Sequence, residues 1–293
     1  MQELDTNLYI ETDFYGGTVG AIVTDEGVIC IDTPPLPSEA RRWRSQLAHL
    51  TSKSIILIIN TSHNPTRILG NRWFNASVLA HQYTVELLKD RAELFRANYV
   101  LPEEHDTLPE LTGVRPIRPE ITFSESMTIY RGNHVIKVLH RSGTAASGVW
   151  VHIPETNITF IGDTIIRGGN PLLYSANINQ WLEDLRELAK PRNNYNIIVP
   201  GQGQPTTEKV ESAKYIADYL RWMRKRLQRM VRSRKTEEDL AAFVPKVLAQ
   251  FPVSPLIRPL VEQQLLAGLP TIYAYMQAAA APAPEPESEE GEA

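Results

Sequence analysis

The feature that most constrains this chain is a series of short, β-branched runs that alternates with helical patterns twice over before residue 207. Residues 17–24 (GTVGAIVT) and 27–33 (GVICIDT) read as two strands joined at Asp25-Glu26, a hairpin connection. Residues 37–50 follow with a helical pattern that brings Trp43, Leu47 and Leu50 close to one face. Residues 54–60 (SIILIIN) form a continuous apolar run, as expected of a strand covered on both faces. Residues 78–81 read as the next short strand and 84–97 as the next helix. In the second series, 121–123, 127–130, 134–139, 148–153 and 157–161 are strands, the last two split by Pro154-Glu155-Thr156. Residues 178–188 are a helix with Trp181, Leu182, Leu185 and Leu188 at core spacing, and 196–199 a closing strand before Pro200-Gly201. Strand pairs followed by helices, twice over, predict an α/β chain of two packed sheets with helices outside both. This is a four-layer α/β/β/α sandwich.

From residue 207 the texture becomes helical. Residues 207–234, 237–250 and 255–267 carry three amphipathic patterns, punctuated later by Pro252, Pro255, Pro259 and Pro270. The expected layout is a sandwich domain over 1–206, a helical C-terminal extension over 207–277, and an acidic Ala/Pro/Glu tail over 278–293. The tail has no apolar period and too little to bury to offset its ordering entropy, so disorder is expected there. With 293 residues, 42% of them hydrophobic, the chain can bury a large core. A net charge of -4 does not by itself call for a nucleic-acid or membrane partner. The single cysteine, Cys30, excludes an internal disulfide and, within Val28-Ile29-Cys30-Ile31, reads as a buried core thiol. No basic stretch followed by an apolar one opens the sequence. No apolar run reaches the roughly 20 residues that span a bilayer, and cytoplasmic residence is the expectation.

Five landmarks then stand in order. They are the strand that ends at Asp32-Thr33; Ile59-Asn60-Thr61 through Gly70-Asn71; Gly143-Thr144-Ala145-Ala146-Ser147-Gly148; Phe160-Ile161-Gly162-Asp163; and Val199-Pro200-Gly201-Gln202-Gly203. Over roughly residues 7 to 206, this order and spacing resemble the metallo-β-lactamase superfamily. The resemblance implies the αββα metallo-β-lactamase sandwich and, in a bacterial cell, hydrolysis at a zinc site of histidines and carboxylates. Aligned on the landmarks, Ser62 and Asn64 stand where two histidines of the His-x-His-x-Asp-His motif are expected. Thr66 stands for its Asp, Arg67 for its last His, Thr144 for the next histidine and Gln202 for the final one. His63 falls on an intervening position, and Asp163 alone keeps the family's residue.

That donor set is poor for zinc. A hydrolytic ion needs about three protein ligands and an open position for water. Ser, Thr, Asn and Gln are neutral and weak, and arginine stays protonated and repels a cation. The expectation is therefore a non-catalytic relative, a pseudoenzyme without the family's zinc or any other cofactor. Its polar cleft suits a small polar or anionic ligand in a binding, regulatory or scaffold role. Arg67 is expected to replace the metal's charge by pairing with Asp163, which would be costly to bury alone.

Two other readings stay open. A hydrolase of small ester, thioester or lactam-like substrates would need a rearranged mononuclear site, for which His63, His140 and Asp163 are the candidates. Ser62 and His63 are adjacent and point apart on an extended segment, so they make a poor Ser-His pair. No Walker loop or dinucleotide fingerprint occurs, and Gly168-Gly169-Asn170 reads as a turn. The third reading rests on the basic stretch 215–235, where Arg221, Arg224, Lys225, Arg229 and Arg232 interleave with Tyr219, Leu220, Trp222 and Met223. Such a helix suits nucleic acid, an anionic membrane or an acidic partner. Against this stands a solvated face offset by Glu237-Glu238-Asp239 and by the acidic tail folding back. Leu256, Leu260, Leu265, Leu266 and Ile272 give the C-terminal helices an apolar face for a protein partner, a homodimer or the core itself.

Overall fold

The computed structural model describes residues 1–89, 109–111, 114–171, 173 and 175–280. The apolar runs form two sheets. The first contains β1 (Gln2–Asp5), β2 (Leu8–Glu11), β3 (Val19–Val23), β4 (Val28–Ile31), β5 (Ile55–Ile59), β6 (Ser77–His81) and β7 (Ile121–Phe123), side by side in chain order. Its first four strands are antiparallel and β4 to β7 run parallel. The second sheet contains β8 (Ser126–Arg131), β9 (His134–His140), β10 (Val149–Ile153), β11 (Ile158–Phe160) and β12 (Ile197–Val199), with only the β11–β12 pair parallel.

Period-two alternation assigns each face. Ile22, Ile29, Ile31, Leu57 and Ile59 of the first sheet meet Ile136, Val138, Val149, Val151 and Phe160 of the second in an apolar layer between the sheets. Ala21, Val28, Cys30 and Ile58 point the other way, onto Ala40, Trp43 and Leu47 of α1 (Pro37–Leu50). Cys30 is fully buried, and that burial pushes its thiol up to about 12, so it is an inert core group.

The remaining α-helices described are α2 (Pro65–Ile68), α3 (Gln82–Lys89), α4 (Ile178–Ala189), α5 (Lys209–Arg232), α6 (Glu237–Ala241), α7 (Val244–Gln250) and α8 (Arg258–Ala280). Trp150 and Ile198 on the outer face of the second sheet join Trp181 and Leu185 of α4 and Leu220 and Met223 of α5 in one core. Val247 of α7 and Leu265 and Leu269 of α8 belong to the same cluster. The order is thus helix, sheet, sheet, helix, the four-layer sandwich that the alternation predicts. Among the described residues no helix is long and apolar enough to cross a membrane.

Four details differ from expectation. The sequence pattern does not predict β1 and β2, because QELD and LYIE are short and mixed in polarity. Residues 237–250 are two helices rather than one, broken at Ala242-Phe243. Pro245 sits in the first turn of α7, where its missing N–H costs nothing, and Phe243 stacks on Trp222. The third pattern, expected over 255–267, runs from Arg258 to Ala280 straight through Pro270. Leu265, Leu269, Ile272 and Tyr273 are all buried in the shared core, and that packing outweighs the hydrogen bond lost at the proline. α8 also takes in residues 278–280, which the composition assigns to the tail. Residues 90–97 of the expected helix and 281–293 of the tail lie outside the described residues.

A core that continues from β10 into α5 and α8 predicts one cooperative unit. Leu220→Ala, at a fully buried position, is expected to lower unfolding free energy by about 2–5 kcal/mol. Denaturant unfolding followed by tryptophan fluorescence and by helical circular dichroism should give one coincident transition.

Candidate functional site

Parallel strands β4, β5 and β6 end at the same edge of the first sheet, and the loops beyond their carboxyl ends meet the loops after β11 and β12 of the second. Asp32 follows β4 directly in the left-handed region (φ 56°), which a short polar residue tolerates. Its amide donates to Ile59 O (2.9 Å). Its carboxylate accepts from Thr61 N (2.8 Å) and Thr61 Oγ1 (2.5 Å). After β5 the chain turns into α2, which Asn64 caps: Asn64 Oδ1 accepts from Thr66 N (3.1 Å) and Thr66 Oγ1 (3.0 Å).

That single turn of helix drives Arg67 inward until only 1% of it is exposed. Nη2 donates to Asp163 Oδ1 (2.5 Å) and Gly201 O (2.8 Å), Nη1 donates to Thr18 O (3.3 Å), and Nε lies 3.9 Å from Asp32 Oδ2. Asp163 comes from the turn after β11, and Gly201 from the turn after β12. A Cβ at Gly201 would run into both Asp163 Oδ1 and the guanidinium, so only glycine allows this approach. The backbone of Arg67 is held too. Its carbonyl accepts from Asn60 Nδ2 (2.9 Å), while Asn71 Nδ2 donates to Asn60 Oδ1 (2.8 Å) and Thr33 Oγ1 donates to Asn71 Oδ1 (2.8 Å).

The pair expected between Arg67 and Asp163 is present, and the side chains of Ser62, His63, Asn64 and Thr66 are engaged in local hydrogen bonds. Ser62 is buried and its Oγ accepts from Asn64 N (3.2 Å), so Ser62, Asn64 and Thr66 build the entrance to α2. His63 turns its Nδ1 to within 2.7 Å of Ser147 Oγ, which also accepts the His63 amide (2.9 Å). Thr144 accepts from Ser175 Oγ through its carbonyl (3.2 Å), and Gln202 accepts the Arg167 amide through its own (3.0 Å). The grouping of His63, His140 and Asp163 is not realised. His140 Nε2 lies 2.8 Å from Ala146 O, and its ring stacks on His81 with centroids 3.7 Å apart. Among the described residues, no three His, Cys, Asp or Glu side chains form a group able to hold a metal ion.

Sequence reasoning missed Asp32, Asn60, Thr61, Asn71 and Ser147 as parts of this network. The available signal was a polar Asn60-Thr61-Ser62 run at the end of an otherwise apolar strand. On the far helical layer, Arg224 Nη1 donates to Asn179 Oδ1 (2.7 Å) and Arg221 pairs with Asp218 (3.0 Å), while Lys225, Arg229 and Arg232 are exposed.

Burial moves two cleft groups in opposite senses. It pushes Asp32 up to about 6, against the pull of Arg67 and the Thr61 bonds, and it pushes His63 down to about 4. The contribution of His63 is complete above its ordinary 6.5 and is lost as pH falls toward 4. That of Asp32 is complete below 3.8 and is lost as pH rises through about 6. Between about pH 7.5 and 5, His63→Asn should therefore lose less stability than the parent, by up to about 1.4 kcal/mol per pH unit, and Asp32→Asn should lose more. Denaturant midpoints at several pH values measure both.

The metallo-beta-lactamase superfamily model matches residues 12–201. A curated relative, the metallo-beta-lactamase type 2 of Elizabethkingia meningoseptica, is 23% identical over 213 residues, covering 69% of this chain and 77% of the relative. Among solved structures, a metallo-beta-lactamase family protein from Thermus thermophilus superposes with a TM-score of 0.66 at 16% identity, covering 95% of this chain and 96% of that one. The metallo-beta-lactamase from Pontibacter korlensis gives 0.59 at 16% identity, over 75% and 97% of the two chains. These structural likenesses bear on the fold, and the family match spans the cleft landmarks from Asp32 to Gly201. The chain belongs to the metallo-beta-lactamase superfamily.

Proposed function

We propose that this protein is a non-catalytic member of its superfamily, in which a buried arginine takes the electrostatic place of the metal. The polar cleft that remains serves a ligand-binding, regulatory or scaffold role. The observation that carries this reading is the Arg67 guanidinium lying on the Asp163 carboxylate, with Asp32 behind it. The residues present do not fit a zinc ion. A guanidinium cannot coordinate, its charge opposes a divalent cation, and it already engages the carboxylate that a metal would need. The neutral side chains at the other ligand positions give a metal no charge compensation, and three of them are committed to capping α2. A small polar ligand suits a cleft whose remaining groups donate and accept hydrogen bonds, the Arg67 charge itself being met by Asp163 and Asp32.

The alternative is a metal-dependent hydrolase of an ester, thioester or lactam-like substrate, and one measurement separates the two. Metal content is determined by mass spectrometry on protein purified without chelator, before and after soaking in zinc and removing the excess. The expected stoichiometry is near zero in both samples, with no metal-stimulated hydrolysis of a β-lactam or thioester. About one zinc per chain, abolished by Asp163→Ala, would overturn the proposal.

The same cluster predicts a large stability effect. Arg67→Met leaves Asp163 and Asp32 without their counter-charge and should cost about 3–5 kcal/mol in denaturant unfolding. Arg67→Lys should recover only part of it, because one ammonium cannot reach Asp163, Gly201 O and Thr18 O together.

A further inference from the structure

On the outer helical layer, α5, α8 and the start of α4 leave a groove of about 280 Å³. Arg224, Gln228 and Arg232 line it from α5, at a spacing of four residues that puts all three on one face. Ile272, Tyr275 and Met276 line it from α8. The Tyr273 hydroxyl donates to Met230 O (3.2 Å) and Lys235 O (2.8 Å), which fixes α8 against the last turn of α5. The groove therefore has an apolar wall and a cationic wall. Arg232 is exposed, with no ion-pair partner among the described residues. Tyr275 is 57% exposed beside it.

The chain itself continues from this spot. Ala279 lines the groove, α8 ends at Ala280, and residues 281–293 read APAPEPESEEGEA, with five glutamates and no Lys or Arg. We propose that this acidic segment is the occupant of the groove. It doubles back along α8, with its Ala-Pro repeats on Tyr275 and Met276 and its glutamates on Arg224 and Arg232. The reach is sufficient. Ile272 to Ala280 spans about 12 Å of helix, and a proline-rich segment covers about 3 Å per residue, so Glu285 and Glu287 come level with Arg232. Tethering makes the encounter intramolecular, with an effective concentration in the millimolar range, so weak surface ion pairs are enough. Prolines 282, 284 and 286 pre-set an extended backbone and reduce the entropy lost on docking. A docked tail screens the basic face of α5, and an external polyanion reaches that face only by displacing it. This inference is independent of whether the cleft binds metal.

Cys30 is fully buried, so Ser288→Cys in the full chain gives one reactive thiol for a fluorescent label on the tail. At low salt the anisotropy decay of the label should follow the tumbling of the whole molecule. Arg224→Glu with Arg232→Glu, or about 0.5 M NaCl, should make its rotation several-fold faster. Replacing all five tail glutamates by glutamine, which leaves the folded core untouched, should do the same even if the arginine variant folds poorly. A label that rotates freely in the parent at low salt overturns the proposal, as does one held equally in the arginine and glutamine variants. Retention that grows with protein concentration also overturns it, by placing the tail on a second copy.

Discussion

A guanidinium with 1% exposure cannot shed its proton, so its charge has to be met where it lies. The partners that meet it come from four places in the chain: Thr18 before β3, Asp32 after β4, Asp163 after β11 and Gly201 after β12. Two belong to each sheet. The side chain thus ties the two halves of the sandwich together at the one end where no apolar layer could do so, and the local backbone is shaped around it. The bare Cα of Gly201 makes room for this charge and for the Asp163 carboxylate that meets it.

The apolar layers of the fold draw on other residues. The layer between the sheets and the two outer layers are set by alternating Ile, Val and Leu and by Trp43, Trp150 and Trp181, none of them at a ligand position. A family can therefore keep its sandwich while the positions at its rim change chemistry. In this chain the buried charge at the rim is an arginine, and it is met by Asp163, Asp32 and two main-chain carbonyls.

Most of the architecture was legible, for a physical reason. β5 is apolar on both faces because it is covered on both faces, and α1 and α4 carry Trp43 with Leu47 and Trp181 with Leu185 and Leu188 at helical spacing. β1 was not legible because it is an exposed edge strand with little to bury, and β2 because its buried Leu8 and Ile10 stand in a run of only four residues. At Pro270 local propensity argues for a stop, and burial of the flanking Leu269, Ile272 and Tyr273 overrides it. In the cleft, the Arg67–Asp163 pair could be anticipated because the family pattern puts both at one point. The Ser147 partner of His63 lies 84 residues away, and the stacking of His140 on His81 brings together separate strands; no local signal reports either. Asp32 was visible as a strand-end acid, but nothing nearby showed that its oxygen would face an arginine.

The clasp of Asn60, Asn71 and Thr33 around the carbonyl of Arg67 gives the stretch between β5 and β6 an unusual status. By position it is a loop, the kind of segment where chains ordinarily gain and lose residues freely. Here both of its ends are stitched to each other and to β4, and its middle delivers a charge to a fixed point. One residue added or removed between Asn60 and Asn71 would rotate Arg67 by a good fraction of a helical turn and strand it away from its carboxylates. The length of this loop is therefore as closely determined as the register of a strand.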